Sequence, residues 1–327
     1  MFPTSSQCKY WMFSSEDELN LLREKANNKH IQLYGKGMND PWKGDFFLTP
    51  DEEQVMVKKY EIHLRDFCKR FLPPMPRCVI GTSFHYFKRF YIKNSVMNYH
   101  PKEIMVTCIY LACKVEEFNV SIQQFVANIK GDREKAADII LNNELLLMEQ
   151  LNFHLAIHNP FRPVEGLLID IKTRGSLHDP ERLRQGTEQF LERVFLTDAI
   201  LLYAPSQVAL AAILHAASKL QENLDSYVTD VLFGKDGKNR LAVLIDAVRA
   251  IRSMEKTADN TPDKTYIRTL EKKLEKCRNL ENNPDSEIYK KKMQALLDED
   301  DDLYNAITVQ NQQKNDSALS MKVPSSP

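Results

Sequence analysis

Few residues of this chain have types and spacing that could do chemistry. His154 and His158 stand four positions apart, as two metal ligands on one helical face can. They run into a proline-containing linker and lack the His-Glu-x-x-His pattern of zinc hydrolases, which disfavours a metal site. Glu116 and Glu117 are adjacent, and adjacent residues on a helix do not face each other, so they do not form an acid–base pair.

Motifs for phosphate binding and nucleophilic catalysis are also missing from the sequence. The glycine-containing stretches YGKG and GKDGK lack the strand, loop and Lys-Ser/Thr context of a phosphate loop, and both predict turns. The sequence contains no nucleophile elbow and no convincing Ser/His/Asp set. We therefore expect a binding protein, not an enzyme, with no cofactor and no metal.

A lysine closes the most apolar predicted helix, in the stretch LACKVEE. Lys114 has two interpretations. A lysine in a last helical turn interacts with the open carbonyls and the negative end of the helix dipole, and the residues alone favour this structural role. The alternative is contact with a partner. Glu144, a single acid before three leucines, poses the same choice between a solvated helix face and a binding contact.

The totals predict a soluble, helical, two-domain protein. The chain has 327 residues, and at roughly 150 residues per domain this suggests two domains. Only 10 residues are glycine, which favours helices over a turn-rich sheet protein.

The net charge of −1 argues against a chain that coats nucleic acid. Six scattered cysteines without a Cys-x-x-Cys pair predict free thiols. We identify no signal peptide and no apolar run long enough to span a membrane.

The hydrophobic periodicity predicts two similar helical blocks. Residues 1–50 form an extension with one helix over 14–28, and residues 51–156 form five helices, of which the third is apolar almost all round. Residues 157–256 repeat the five-helix plan. Residues 257–281 form an amphipathic helix, and the polar, acidic residues 282–327 predict disorder.

Several stretches of the sequence resemble the cyclin family. ACKVEE closes the third helix of the first block, KRFYI lies in the second helix, and LLLMEQLNFHL ends the fifth. The stretches WMFSSEDELNLLREKAN, MPRCVIGTSFHYFKRFYIKNSVMNYHP and QLNFHLAIHNPFRPVEGLLIDIKTR narrow the resemblance to the cyclins of the CDK-activating kinase, which is also the kinase module of TFIIH. The resemblance covers about residues 9–280. It implies an all-α fold of two tandem five-helix cyclin-box repeats with extra N- and C-terminal helices.

The resemblance also implies a function and partners. A cyclin of this kind binds and activates a cyclin-dependent kinase catalytic subunit without doing chemistry itself, in cell-cycle control and RNA polymerase II transcription. Further implied partners are the assembly-factor third subunit and the TFIIH core, with no direct nucleic acid and no membrane. The implied location is the nucleus. Lys290, Lys291 and Lys292 form a basic run that suits nuclear import or, equally, a solvated helix face.

The family's kinase-binding positions carry over to seven residues of this chain. Lys114 and Glu144 match a polar pair at the kinase-facing surface, and apolar contacts flank them. For Phe153 a core position and an interface position are equally good interpretations. The implied kinase-binding residues are Leu111, Lys114, Val115, Glu144, Met148, Phe153 and Leu155.

Other functions remain open on the sequence. One is a transcription cyclin with a different kinase partner. Another is a TFIIB-like protein that holds promoter DNA through a basic patch, although this chain lacks the zinc ribbon of those proteins. The patch would consist of Lys69, Arg70, Arg77, Lys88 and Arg89. The first helix of the first block also lacks the Met-Arg-Ala-Ile-Leu motif of substrate-docking cyclins, so we do not expect that docking route.

Overall fold

The computed structural model describes residues 1–36, 44–175, 177–234, 238–258, 260 and 263–295. Within these ranges the chain is helical and contains no β-strand, as predicted. Residues 1–277 form one compact unit and residues 278–327 are assigned to a second.

Among the described residues of the N-terminal extension are the helices α1 (Ser6–Tyr10) and α2 (Glu16–Tyr34). The side chain of Ser15 caps α2 by accepting a hydrogen bond from the Glu18 backbone N–H, as the SSEDE pattern predicts. The predicted end of this helix near residue 28 is wrong. Asn27 is buried and donates to the carbonyl of Leu48 across 2.8 Å, so a polar residue that resembles a helix end holds the helix against the core.

The first repeat contains the five predicted helices. Thr49 and Glu52 form a reciprocal capping box at the start of the first one, with Pro50 at its first position. The third helix is the central one, since it packs against the first, second and fifth and buries most of its residues. The helices are α3 (Pro50–Arg70), α4 (Arg77–Lys93), α5 (Pro101–Val115), α6 (Ile122–Val126) and α7 (Arg133–Gln150).

The second repeat follows the same plan with one interruption. The stretch PERLRQGTEQFLERVFLTDAILL predicts one continuous second helix. In the structure residues 195–198 interrupt it. The Thr197 hydroxyl donates to the Val194 carbonyl across 2.7 Å and accepts from the Ala199 N–H, which turns the chain at this point. The elements are α8 (Phe161–Arg174), α9 (Arg184–Val194), α10 (Ala199–Leu202), α11 (Pro205–Lys219), a π-helix (Tyr227–Phe233) and α12 (Lys238–Lys256).

The C-terminal amphipathic helix is α13 (Lys264–Cys277), which packs against α3. The spacing of Tyr266, Leu270, Leu274 and Cys277 predicts one apolar, buried face. The last three residues are buried, but Tyr266 is exposed. The predicted cap at residues 261 and 262 lies outside the described residues. We predicted disorder from residue 282, and the structure gives residues 287–295 a helical conformation. Residues 296–327 lie outside the described residues.

All six cysteines carry free thiols, as predicted. Among the described helices, none combines the length and the apolar character that crossing a bilayer requires.

Candidate functional site

Lys114 and Glu144 form an ion pair on the surface between α5 and α7. The Lys114 ammonium donates to both carboxylate oxygens of Glu144, at 2.7 and 2.8 Å. The same ammonium lies 4.9 Å from the ring centroid of Tyr110, within range of a cation–π interaction. Three surroundings therefore fix one lysine head group: a carboxylate, an aromatic face and the end of its own helix.

The helix geometry explains why both charges reach the surface together. Residues 111–113 of α5 are buried, and Lys114 leaves the core in the last turn with 45% of its side chain exposed. Ile140 and Leu147 lie one turn either side of Glu144 and are fully buried. They hold Glu144 at the junction of the two helices, where its side chain is only 16% exposed. The acid is thus fixed and the lysine remains accessible.

Apolar side chains surround the pair. Val115, Met148 and Leu155 are half-buried, and Phe153 is 59% exposed. This exposure excludes a core position for Phe153, and its contact with a kinase remains a prediction. Leu111 is different, because only 2% of its surface is exposed. It supports the site from beneath, and the prediction that it contacts a kinase directly remains a prediction.

The sequence analysis missed two members of this surface. The apolar runs at residues 139–141 and 145–147 predict buried positions in this helix. In the structure Leu141 is 48% and Leu145 is 57% exposed. Their spacing of four, followed by Met148 three positions later, marks a second apolar stripe on a helix that already has a buried face. We define the exposed stripe as Leu141, Leu145, Met148 and Phe153. The presence of two apolar faces on α7 is the feature of the sequence that could have revealed this exposed surface.

The backbone after α7 adopts an uncommon conformation at this surface. Asn152 and Phe153 have φ values of 52° and 55°, in the left-handed region that residues other than glycine enter at a cost. The Phe153 N–H donates to the Met148 carbonyl across 2.8 Å, so the turn is anchored. Two such residues in succession end α7 and direct Phe153 outward, and strain of this kind clusters at functional sites.

The N-terminal segment borders the same surface. The Trp11 ring is buried, and its N–H donates to Nδ1 of His154 across 3.0 Å. Tyr10 stacks on the His154 ring at a centroid distance of 4.9 Å. The cations of Arg89 and Lys93 lie over the Trp11 ring, 5.0 and 4.7 Å from its centroid. The segment before α2 is therefore attached next to Phe153 and Leu155.

The possible metal pair has other partners. His154 uses Nδ1 for the Trp11 indole. Burial, with the charges of Arg89 and Lys93, lowers the pKa of His154 and favours the neutral ring that this hydrogen bond requires. The His158 backbone N–H donates to the side chain of Gln7 across 2.7 Å. Among the described residues no group of three potential ligands could hold a metal ion.

A buried ionic network joins α2 to both repeats. Lys88 of α4 lies 2.6 Å from Glu61 of α3 and 3.5 Å from Asp198 of the second repeat. Arg23 of α2 binds Asp198 through two hydrogen bonds of 2.8 and 2.9 Å. Although burial acts to raise it, the attraction of Lys88 and Arg23 lowers the pKa of Asp198. We call Arg23, Glu61, Lys88 and Asp198 the inter-repeat network.

The basic patch of the DNA-binding alternative does not form. Lys88 and Arg89 are buried. Lys69 pairs with Glu192 at 2.7 Å and Arg77 pairs with Glu188 at 2.5 Å, so acids of the second repeat neutralise both. The sequence places these cations close together, but the fold buries two of them and pairs Lys69 and Arg77 with acids that line the same pocket.

Comparison with known proteins identifies the family of this fold and surface. Residues 65–156 match the model of the cyclin N-terminal domain, and residues 159–280 match the model of the cyclin C-terminal domain. Cyclin-H of Xenopus laevis is 46% identical over 286 residues, which cover 86% of this chain and 88% of the relative.

Two solved complexes contain similar chains. One is the CAK complex of Chaetomium thermophilum bound to ATP-gamma-S, with a TM-score of 0.74, 28% identity and coverage of 91% of this chain and 94% of that chain. The other is the yeast TFIIK complex of Kin28, Ccl1 and Tfb3, with a TM-score of 0.61, 27% identity and coverage of 77% and 99%. The ion pair on α5 and α7 thus lies in a chain that belongs to the cyclin family, in its cyclin-H branch.

Proposed function

We propose that this chain is the regulatory, non-catalytic subunit of a cyclin-dependent kinase, in the CDK-activating kinase that also serves as the kinase module of TFIIH. The observation that carries the proposal is the Lys114–Glu144 pair beside the exposed stripe. An ordered charge pair next to unpartnered apolar side chains has the composition of a protein-binding surface. The relatives in the CAK and TFIIK complexes support the same assignment.

The pair suits recognition of a kinase helix. Lys114 can donate to a carbonyl of the kinase while it keeps Glu144, since an ammonium has three donors. Each Glu144 oxygen retains a lone pair that can accept a backbone N–H. The geometry within this chain is already set, so binding does not have to order these side chains. The charges would determine orientation, and the exposed stripe would supply most of the affinity.

Activation follows from binding one kinase conformation better than another. An inactive kinase holds its C helix outward, where the glutamate of that helix cannot reach the strand-three lysine and the phosphates of ATP are poorly placed. A rigid surface that fits only the inward helix shifts the population toward the active state. The two central helices α5 and α7, with their buried faces, provide that rigidity. This chain would then contribute no group to phosphoryl transfer.

Three finer assignments belong to the same proposal. The third subunit of the complex and the TFIIH core are proposed partners, and the proposed location is the nucleus. The yeast TFIIK complex consists of Kin28, Ccl1 and Tfb3, and these three components support a third subunit for this chain as well. A different transcriptional kinase as partner is the second candidate, and the experiment below separates the two.

The test is co-elution and activation with the kinase subunit of the CDK-activating complex. We expect a stable pair with the wild-type chain. Glu144→Ala should lower the affinity at least tenfold, because truncating one partner of a desolvated charge pair costs about 2–5 kcal/mol. Glu149→Ala is the matched control, since Glu149 is an exposed acid on the same helix.

The outcomes separate the hypotheses. Equal affinity of the wild type and the Glu144 variant would rule out the charge pair as an anchor. Binding to another transcriptional kinase in place of this one would favour the second candidate. Loss of binding with Glu149→Ala as well would point to a general disturbance of α7.

A further inference from the structure

A positively charged pocket opens on the second repeat, away from the Lys114–Glu144 pair. It is a cavity of about 330 Å³ between α9, α11 and α12. We define the cationic pocket by the lining residues that the argument uses, which are Phe190, Arg193, His215, Lys219, Glu255 and Lys256. This cavity plays no part in the proposed kinase contact.

The charges of the cationic pocket do not cancel. Its cations are Arg193, Lys219 and Lys256, and its acid is Glu255. Glu255 is buried and lies 2.5 Å from Nε of Arg193, so its charge is already engaged. Lys219 and Lys256 have exposed side chains and make no hydrogen bond or ion pair with any residue that the structure describes. With His215 neutral, the lining carries a charge of about +2.

The pKa of His215 reflects the excess positive charge of the cationic pocket. Burial lowers the pKa of His215, and the nearby charges of Lys219, Arg252 and Arg193 lower it further against the opposing effect of Glu255. A histidine surrounded in this way stays neutral because the site already holds more positive charge than negative. The site therefore favours an anion.

One wall of the pocket is aromatic. The rings of Phe190 and His215 lie 4.7 Å apart with an angle of 40° between their planes. The cavity has room for more than a small inorganic ion. The half-buried His215 ring, with the buried Phe190 behind it, offers contact to carbon atoms. A ligand that combines an anionic group with an apolar stem matches both features.

The two repeats differ at this position. Lys219 closes α11 as Lys114 closes α5, in the corresponding helix of the first repeat. Lys114 binds Glu144 at 2.7 Å, whereas Lys219 has no such acid among the described residues. The second repeat keeps the lysine, but the acid of α12 in this pocket, Glu255, pairs with Arg193 instead of Lys219. A ligand can supply the missing negative charge.

We propose that the cationic pocket binds a phosphorylated serine or threonine of a partner polypeptide. The phosphate dianion would lie between Lys219, Lys256 and Arg193, with its side-chain carbons against Phe190 and His215. Two negative charges match the surplus of the lining, whereas a carboxylate carries only one. This interaction is independent of kinase activation, and so is its test.

The test measures the anisotropy of a labelled probe peptide bound to the full chain in about 0.15 M salt, where exposed charges are screened beyond ~8 Å. The probe contains glycine, alanine and one phosphothreonine, and two further peptides carry threonine or glutamate in its place. We expect the phosphopeptide to bind at least tenfold more tightly than either. Lys219→Ala and Lys256→Ala should each weaken it about five- to tenfold. Lys172→Ala, an exposed lysine of α8, is the matched control and should leave binding unchanged.

A second readout follows the imidazole of His215 by NMR. A bound dianion should raise its pKa, an effect that a purely structural role of the lysines would not produce. Equal binding of the three peptides, or equal loss with Lys172→Ala, would overturn the proposal. So would inorganic phosphate that binds as tightly as the peptide, or single-stranded DNA that binds with the same dependence on the two lysines.

Discussion

The indole N–H of Trp11 donates to Nδ1 of His154 across 3.0 Å, and this bond joins two residues 143 positions apart. His154 follows directly on Phe153, the exposed aromatic residue of the proposed kinase surface. The N-terminal segment is therefore coupled to that surface through one ring. We therefore expect the residues before the first repeat to support the proposed kinase surface.

Loss of Trp11 should release the N-terminal segment without unfolding the repeats. For Trp11→Ala we expect faster hydrogen exchange in residues 5–11 and weaker kinase activation, with a much smaller change in the urea midpoint, because terminal segments open locally. Trp11→Phe is the control for packing. It should lower the free energy of unfolding by only about 1 kcal/mol, which is the net contribution of one hydrogen bond. Unchanged exchange in Trp11→Ala would show that other contacts hold the segment.

Asp198 should be essential for stability. Asp198→Asn removes the carboxylate that half-buried Arg23 and buried Lys88 share, although Lys88 keeps Glu61 at 2.6 Å. We expect a loss of about 3 kcal/mol in the free energy of unfolding. The control is Glu192→Gln, which breaks the exposed pair with Lys69 and should cost at most about 1 kcal/mol. The measurement is urea unfolding of both variants at pH 7, and similar losses in the two would contradict the prediction.

The same network changes what an N-terminal deletion would do. The two terminal amphipathic helices are too short to be stable alone, so we expect them to pack against the first repeat or each other and to help the kinase contact. In the structure α2 packs on α3 and α4. It also supplies Arg23 to Asp198, so deletion of residues 1–30 should destabilise the junction of the repeats. Deletion of residues 1–13 should spare the network and test kinase activation alone. The urea midpoint of the variant without residues 1–30 measures this effect. A midpoint equal to that of the wild type would show that Arg23 does not stabilise the junction of the repeats.

Glu53 should make stability fall as the pH rises toward neutrality. Burial raises the pKa of Glu53 to about 7, against the hydrogen bonds from Ser95 and its neighbours. A carboxyl with a raised pKa in the folded state stabilises fully below its unfolded pKa of about 4.3, and this contribution is lost as pH rises through the folded value. This difference between the folded and unfolded pKa corresponds to about 4 kcal/mol.

Glu53→Gln mimics the neutral form and isolates this effect. The variant should resemble the wild type near pH 5 and exceed it in unfolding free energy at pH 8. Urea unfolding at the two pH values measures the difference. Parallel curves for the two proteins would mean that Glu53 titrates normally in the folded chain.

Leu145 should contribute to kinase affinity and little to folding. Its side chain is 57% exposed in the free chain, and Leu145→Ala removes apolar area that a partner would bury. At about 0.8 kcal/mol per methylene, the affinity should fall about tenfold or more. Ile169→Ala is the control, since Ile169 is equally exposed on the second repeat. Equal effects of the two variants on kinase binding would exclude a specific role for the exposed stripe.

The sequence predicted the helices of the first repeat well. The capping box at Thr49 and the all-apolar third helix are local signals, because a cap depends on neighbouring residues and a buried helix shows in its own composition. The resemblance to cyclins supplied Lys114 and Glu144. Their ion pair links residues 30 positions apart, which spacing alone could not show.

Predictions failed where the same local sequence pattern fits two different structural environments. Asn27 resembles a helix end, yet its amide satisfies the buried Leu48 carbonyl. Leu145 resembles core, yet α7 is apolar on two faces and only one fits against α5. In the sequence Asp198 resembles an ordinary turn residue, but in the structure it forms ion pairs with both Arg23 and Lys88.

The amino-acid sequence by itself determined the helical class, the repeated five-helix plan and the family, because periodicity, caps and motifs are properties of neighbouring residues. Only the tertiary structure decided which charges are buried and which apolar faces remain exposed. Burial depends on contacts between distant segments, and the free energy of a charge or an apolar side chain depends on what covers it. The attachment of the N-terminal segment by Trp11, the inter-repeat network and the cationic pocket all arise in this way.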